Sequence, residues 1–225
     1  MSQNKFLKYF FFNIIGLLIL VSLGTWQLER LQWKERYINK IVTQMSLPAV
    51  SINSNNILEF SNLRYRKIKI SGHYLYGKKI AIHSKVFNKI VGKHIIVPFK
   101  SDFGYILVNR GFIPNNKSIN IEESTNIIEI SGIINFVNKK SFFIPDNDLQ
   151  NNDWYYVNIN DFKKYSNLNL LDFYVIEENN PLEVLPIGSQ YNLNIPNDHL
   201  QYAITWFSLA FVLCIFMHLI WKKYD

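Results

Sequence analysis

A single cysteine, Cys214, occurs in the 225 residues, and it lies inside an apolar run. That excludes a disulfide framework and a two-thiolate copper or zinc site of the C-x-x-C kind. G-x-S-x-G, H-E-x-x-H and a glycine-rich phosphate loop are missing too, which removes the enzyme classes built on them. Asp146-Asn147-Asp148 lacks the glycine and the distal acid of a calcium loop, so it reads as a turn. Positive charge is plentiful but unfocused. The net +7 comes mostly from lysines scattered through Asn- and Ile-rich sequence, with no basic stripe, and nucleic acid is rejected as a partner. Between Tyr165 and Trp221 there is no Lys or Arg at all.

What the chain does have is two long apolar stretches near its ends, Phe10–Leu28 and Leu200–Trp221. The second carries no charge and no proline, and about 20 such residues cross a hydrocarbon core as a helix. Lys222 and Lys223 follow it at once, which keeps the C-terminus cytoplasmic by the positive-inside rule. Two spans then return the N-terminus to the same side, with Lys5 and Lys8 agreeing, although Arg30, Lys34 and Arg36 crowd the far end of the first. Ser22 and Gly24 resemble the small residues before a signal cleavage site, but the helical pattern runs straight through them to Lys34. The expected organisation is a tail (1–8), a first membrane helix with an amphipathic extension (9–42), a connector (43–63), an extracytoplasmic β domain (64–180), a second connector (181–198), a second span (199–221) and a tail (222–225).

Between the spans the hydrophobic period changes to two. Arg66–Ile70, Lys79–His83, His94–Phe99, Tyr105–Asn109, Ile127–Val137, Trp154–Ile159 and Phe173–Ile176 read as strands, Ile159–Ser166 as a short helix, and Ser51–Asn56 as a loop. Ile68-Lys69-Ile70-Ser71-Gly72 and Ile128-Glu129-Ile130-Ser131-Gly132 share I-x-I-S-G, a weak echo compatible with related positions in one barrel-like sheet and too short to establish a duplication. Short consecutive strands predict an antiparallel sheet curled into a barrel or sandwich, since open edges beside a membrane invite stray pairing. The fold class is therefore an α+β membrane protein, two terminal helices flanking one antiparallel barrel-like or sandwich domain.

Chemistry concentrates where the helices meet that domain. Asn197-Asp198 are good capping residues for the second helix, which His199 opens on the side where Trp26, Gln27 and Arg30 close the first. Trp26, Arg30, Trp33 and Tyr37 are spaced to share a face, with Arg30 against the Trp26 or Trp33 ring. His199, Tyr202, Trp206 and Leu209 or Ala210 form a stripe at spacings of three and four. If that stripe faces the first helix, the ligand that suits it is planar, apolar and anionic-tailed, such as a haem: imidazole for iron, aromatic walls, Arg30 for a propionate. Alternatively, His199 sits in wet headgroups and the aromatics form an interfacial belt. His73, His83 and His94 lie in strands with no ligand-spaced carboxylate or cysteine, and read as packing or surface residues.

Three segments carry a family resemblance: Gly24-x-Trp26-Gln27-x-x-Arg30, Val108-Asn109-Arg110-Gly111-Phe112-Ile113-Pro114, and Asn197-x-His199-Leu200-Gln201-Tyr202-Ala203-x-Thr205-Trp206-Phe207. In this order, between terminal spans, they closely resemble the surfeit locus protein 1 family, assembly factors of haem–copper cytochrome c oxidase. The resemblance covers essentially the whole chain. It implies a non-enzymatic chaperone role in the respiratory chain, transient haem a binding with His199 as the metal ligand, and insertion of that haem into oxidase subunit I. It implies subunit I as partner, with a haem a synthase as a further one. A haem-free scaffold that stabilises a subunit I intermediate is the rival. Arg110 matches the family's N-R-G segment; read alone, Asn109-Arg110-Gly111 suits a strand end with a turn, and only an Arg110 directed toward the bilayer could pair with a propionate. With no long presequence ahead of the first span, the expected location is a bacterial inner membrane, central domain periplasmic.

Overall fold

The computed structural model describes residues 3–54, 62–118, 125–137, 139–181, 183–191 and 195–224. In chain order the elements are α1 (Gln3–Ser46), β1 (Val50–Ser51), β2 (Lys67–Tyr74), β3 (Ile80–Phe87), β4 (Ile90–Ser101), β5 (Gly104–Pro114), β6 (Ile128–Asn135), α2 (Ile159–Ser166), β7 (Leu170–Glu177) and α3 (His199–Tyr224). They form two compact units, Met1–Lys40 with Leu193–Asp225, and Ile41–Asn192.

The first unit is a helical hairpin. Both helices are long and apolar enough to cross a bilayer, over Phe10–Ser46 and His199–Lys222. Their outer faces expose Leu18, Ile19, Phe211 and Ile215, surface that membrane association would cover. On α1 the covered positions Leu17, Leu20, Gly24, Gln27 and Leu31 alternate by three and four, and on α3 so do His199, Ala203, Trp206, Ala210 and Leu213. That is the spacing of a coiled-coil seam. Small residues bring the helices close at its middle. Ala203 and Ala210 are fully covered, and a Cβ on Gly24 would lie 2.7 Å from the Phe207 ring. Further along, Phe10 meets Trp221 edge-on at 6.3 Å.

The second unit is a mixed seven-stranded sheet ordered β1-β2-β6-β7-β5-β4-β3, and a further β2–β4 pairing closes five of its strands into a barrel. The 12-residue β4 makes closure possible, because Phe99–Ser101 pair with β2 while Ile90–Ile96 pair with β3. Barrel closure is as expected. The pairings are antiparallel except β5–β7 and β1–β2, which run parallel. β7 lies between β5 and β6, parallel to the first and antiparallel to the second, and the long connection from β6 to β7 carries α2. The two I-x-I-S-G segments are direct partners, related about the Ile70–Ile130 pair. Lys69 Nζ bridges diagonally to Glu129 Oε1 at 2.9 Å.

Alternate residues of the central strands bury on opposite faces. Ile95, Val97, Phe99, Ile106, Val108, Phe173 and Val175 fill one core. Ile96, Leu107 and Leu170 face a second core under α2, with Trp154, Ile159 and Phe162. The expected strand Trp154–Ile159 is not one. Trp154 makes a lone bridge to Ile82, and its fully buried ring packs on Phe162 and Tyr165 as a plug. The expected Ile159–Ser166 helix forms because Asn158 accepts from the Asn160 and Asp161 amides at its start, and left-handed Asn167 ends it. Of the expected Ser51–Asn56 loop, Ser51 belongs to β1, and residues 55 and 56 lie outside the described residues.

Candidate functional site

α3 starts where Asp198 C=O accepts from the Tyr202 amide at 3.2 Å, so His199 occupies the first turn. From there its ring reaches across the hairpin seam. Nδ1 of His199 lies 2.7 Å from Oε1 of Gln27. Gln27 comes one turn after Gly24, which packs tightly on the Phe207 ring of α3, and its amide lies on the same seam. Among the described residues no side chain or backbone group bonds to the other ring nitrogen, Nε2. Two turns along α3, the Trp206 indole N–H is buried without a hydrogen-bond partner among the described residues, as is Oδ1 of Asn197 just before the helix. Buried polar atoms of this kind are uncommon, and each calls for a partner.

The remaining candidates of this unit sit on its flanks. Trp26 is 53% exposed and Tyr202 55%, on faces adjoining the seam. Arg30 is also exposed, and its guanidinium lies over the Trp33 ring at 4.2 Å rather than on Trp26. Trp33 in turn stacks on Tyr37, 5.8 Å away and nearly parallel. The aromatic–cation ladder of α1 therefore forms as the spacing foretold. The stripe on α3 runs through Ala203 and Ala210, with Tyr202 beside it. The signal lay in the sequence: small residues at 203 and 210, three and four positions either side of Trp206, mark the covered face.

Arg110 belongs to the β unit and has quite different surroundings. The register of β4 against β5 jumps from Ile95–Gly111 to Ile96–Asn109, so Arg110 is the extra residue of a β-bulge in mid-strand. The reading of a strand end is thus replaced by a strand that continues to Pro114. The bulge turns the Arg110 side chain inward, 4.6 Å from the Tyr74 ring. Its Nε donates to Glu177 Oε2 and its Nη2 to Glu183 Oε2, each at 2.8 Å, and Nη1 donates to the Tyr76 hydroxyl. Only 5% of the side chain is exposed. Burial pushes the pKa of Tyr76 up to about 12 and holds that of Tyr74 well above its ordinary value, so both phenols stay protonated beside the cation. Gly111 follows at φ +129, and a Cβ there would lie 2.1 Å from the Ile187 carbonyl oxygen. That close approach allows Phe112 and Ile187 to exchange both backbone hydrogen bonds, each 2.9 Å. Arg110 and Gly111 thus lace the 183–187 segment to β5. Glu177 and Glu183 lie 67 and 73 positions from Arg110, and no local pattern announces them.

The profile of the SURF1 family matches residues 14–211, from α1 through the first half of α3. The SURF1-like protein of Rickettsia prowazekii is 37% identical over 218 residues, covering 93% of this chain and 88% of that one. For the SURF1-like protein of Rickettsia bellii the identity is 34% over 219 residues, covering 93% and 89%. Surfeit locus protein 1 of Mus musculus is 28% identical over 230 residues, covering 93% of this chain and 74% of its own.

Proposed function

This chain belongs to the SURF1 family, and on that premise we propose that it is a membrane-held assembly factor for a haem–copper cytochrome c oxidase, taking up haem a and passing it to subunit I. The observation that carries the reading is His199. It is oriented through Nδ1 by Gln27 and keeps Nε2 unbonded among the described residues, two turns from a buried, unpartnered indole N–H. Neutral imidazole is a good iron ligand. The donor set fits a macrocycle better than a bare ion, since no cluster of three His, Cys, Asp or Glu occurs among the described residues.

In this reading His199 holds the iron, and Trp206 supplies apolar wall and a hydrogen-bond donor. Trp26 and Tyr202 cover the macrocycle's rim, and Arg30 draws the propionates by charge. Arg110 takes no part in this reading, because it is buried in the β unit and each of its three nitrogens already donates to Glu177, Tyr76 or Glu183. The bound haem brings the redox-active iron that the oxidase will use, and this chain makes and breaks no covalent bond. One imidazole with aromatic packing holds less tightly than a two-histidine site, which suits release. The protein would lie in a bacterial inner membrane with both termini cytoplasmic and the β unit periplasmic, in reach of subunit I and of a haem a synthase.

The experiment is purification in detergent from cells that make haem a, followed by an absorption spectrum of the wild type and of His199→Ala. Near-stoichiometric haem a in the wild type and little in the variant is the expected result. A haem-free wild type that still captures subunit I favours the scaffold, and an unchanged spectrum in the variant removes His199 as ligand.

A further inference from the structure

The bond between His199 and Gln27 does more than tie two helices together. A neutral imidazole carries one proton, and the ring nitrogen that holds it cannot bind metal. In water the proton exchanges between the two nitrogens, so an unconstrained histidine offers either one. Here Nδ1 faces an amide oxygen at 2.7 Å, an acceptor with no proton to give. The contact is a hydrogen bond only if the proton is on Nδ1, which leaves the lone pair on Nε2. The geometry points to Gln27 as a positioning residue that sets the His199 tautomer and presents Nε2 as the iron-binding nitrogen. This rests on the haem-holding reading above.

Three features of the hairpin support it. The acceptor is held in place, because Gln27 sits on the covered seam, one turn from the Gly24–Phe207 approach, where its rotamers are restricted. The two groups come from opposite helices, 172 positions apart, so the ring direction is fixed only when the hairpin is assembled. The acceptor is also neutral. A carboxylate at this place would raise the basicity of the imidazole and tighten its hold on iron. An amide oxygen fixes the ring without that added push, which suits a ligand that must let its cargo go.

The test begins without haem. Full-length protein labelled with ¹⁵N-histidine, in detergent at alkaline pH, reports the tautomer of each ring by nitrogen shift. The His199 signals are identified by their loss in His199→Gln. In the wild type we expect the proton on Nδ1. Gln27→Met keeps size and removes the acceptor, and there the proton should move mainly to Nε2. Gln27→Glu keeps an acceptor and should keep the Nδ1 proton, which separates a lost hydrogen bond from a disturbed hairpin. The second readout is haem a transfer from loaded protein to apomyoglobin, expected about 10–100-fold faster for Gln27→Met and no faster for Gln27→Glu. A wild-type proton on Nε2, or a tautomer indifferent to Gln27→Met, overturns the inference. A tautomer that shifts as expected while His199→Ala retains its haem is a distinct result: the ligand role of His199 then falls, and the iron-binding part of this inference with it, while the hydrogen bond stands.

Discussion

Arg110 and His199 each join segments far apart in the chain, and they differ in what is left over. Arg110 sits in a barrel bulge with two carboxylates, a phenol and an aromatic face around it. His199 opens a helix with one ring nitrogen engaged and the other unbonded among the described residues. A buried cation with every nitrogen engaged has little to offer a ligand, whereas an imidazole with one nitrogen unbonded does. Both residues lie in segments that resemble the same family, so family likeness by itself does not separate a structural pin from a binding group. Hydrogen-bond accounting does.

The sharpest way to break this contrast is Arg110→Leu. It strands Glu177, 10% exposed, without its partner, and loss of one member of a buried pair costs about 3–5 kcal/mol. Thermal or denaturant unfolding in detergent should show that loss, and on the proposed haem-holding reading whatever folded protein survives should carry as much haem a as the wild type. Loss of haem from well-folded Arg110→Leu would erase the distinction. Next is Gly111→Ala, which puts a side chain at φ +129 against the Ile187 carbonyl. We expect a loss of about 2–3 kcal/mol and faster proteolysis within residues 183–187.

A third effect depends on pH. Burial, and then the Lys85 cation, push the His94 pKa down to about 4. The unfolded chain, with a histidine near 6.5, binds more protons between those values, so stability is full above about pH 6.5 and declines as pH falls toward 4. After allowance for partial exposure the loss is about 2 kcal/mol. It should appear as the difference in melting between wild type and His94→Gln across that window, and parallel curves would refute it. The smallest stability effect belongs to His199→Ala. One part-buried hydrogen bond is worth about 1 kcal/mol or less, so the melt should barely move while haem retention collapses. A large drop in stability would instead make His199 a second structural pin.

Much of the architecture could be read beforehand where order is local. Ile159–Ser166 could be located because the cap, the apolar spacing and the ending residue are adjacent in sequence. Strands β2 to β6 followed from alternation, and closure from the hazard of bare edges. Trp154 misled because its apolar neighbourhood resembles a strand, and only the shape of the second core makes it a plug. The parallel β5–β7 pairing stayed hidden, since alternation says which face is buried and nothing of which strand lies alongside. At the site, the His199–Gln27 meeting was legible from the apolar pattern: two long apolar helices paired as a hairpin bring the start of one level with the end of the other's apolar run. The partners of Arg110 were not, because a bulge reverses which side of a strand is inward, and no spacing rule anticipates it.

The paired I-x-I-S-G segments bear on how one copy of this protein avoids its neighbours. Two strands with nearly the same sequence, mated about a local twofold axis, would fit their own kind almost equally well. Like-with-like pairing of β2 would bring two Lys69 ammonium groups together across the axis, and of β6 two Glu129 carboxylates, while the native match sets one against the other at 2.9 Å. The closed sheet already occupies both edges of each strand, and this one pair of opposite charges favours β2 with β6 over either strand with its own kind.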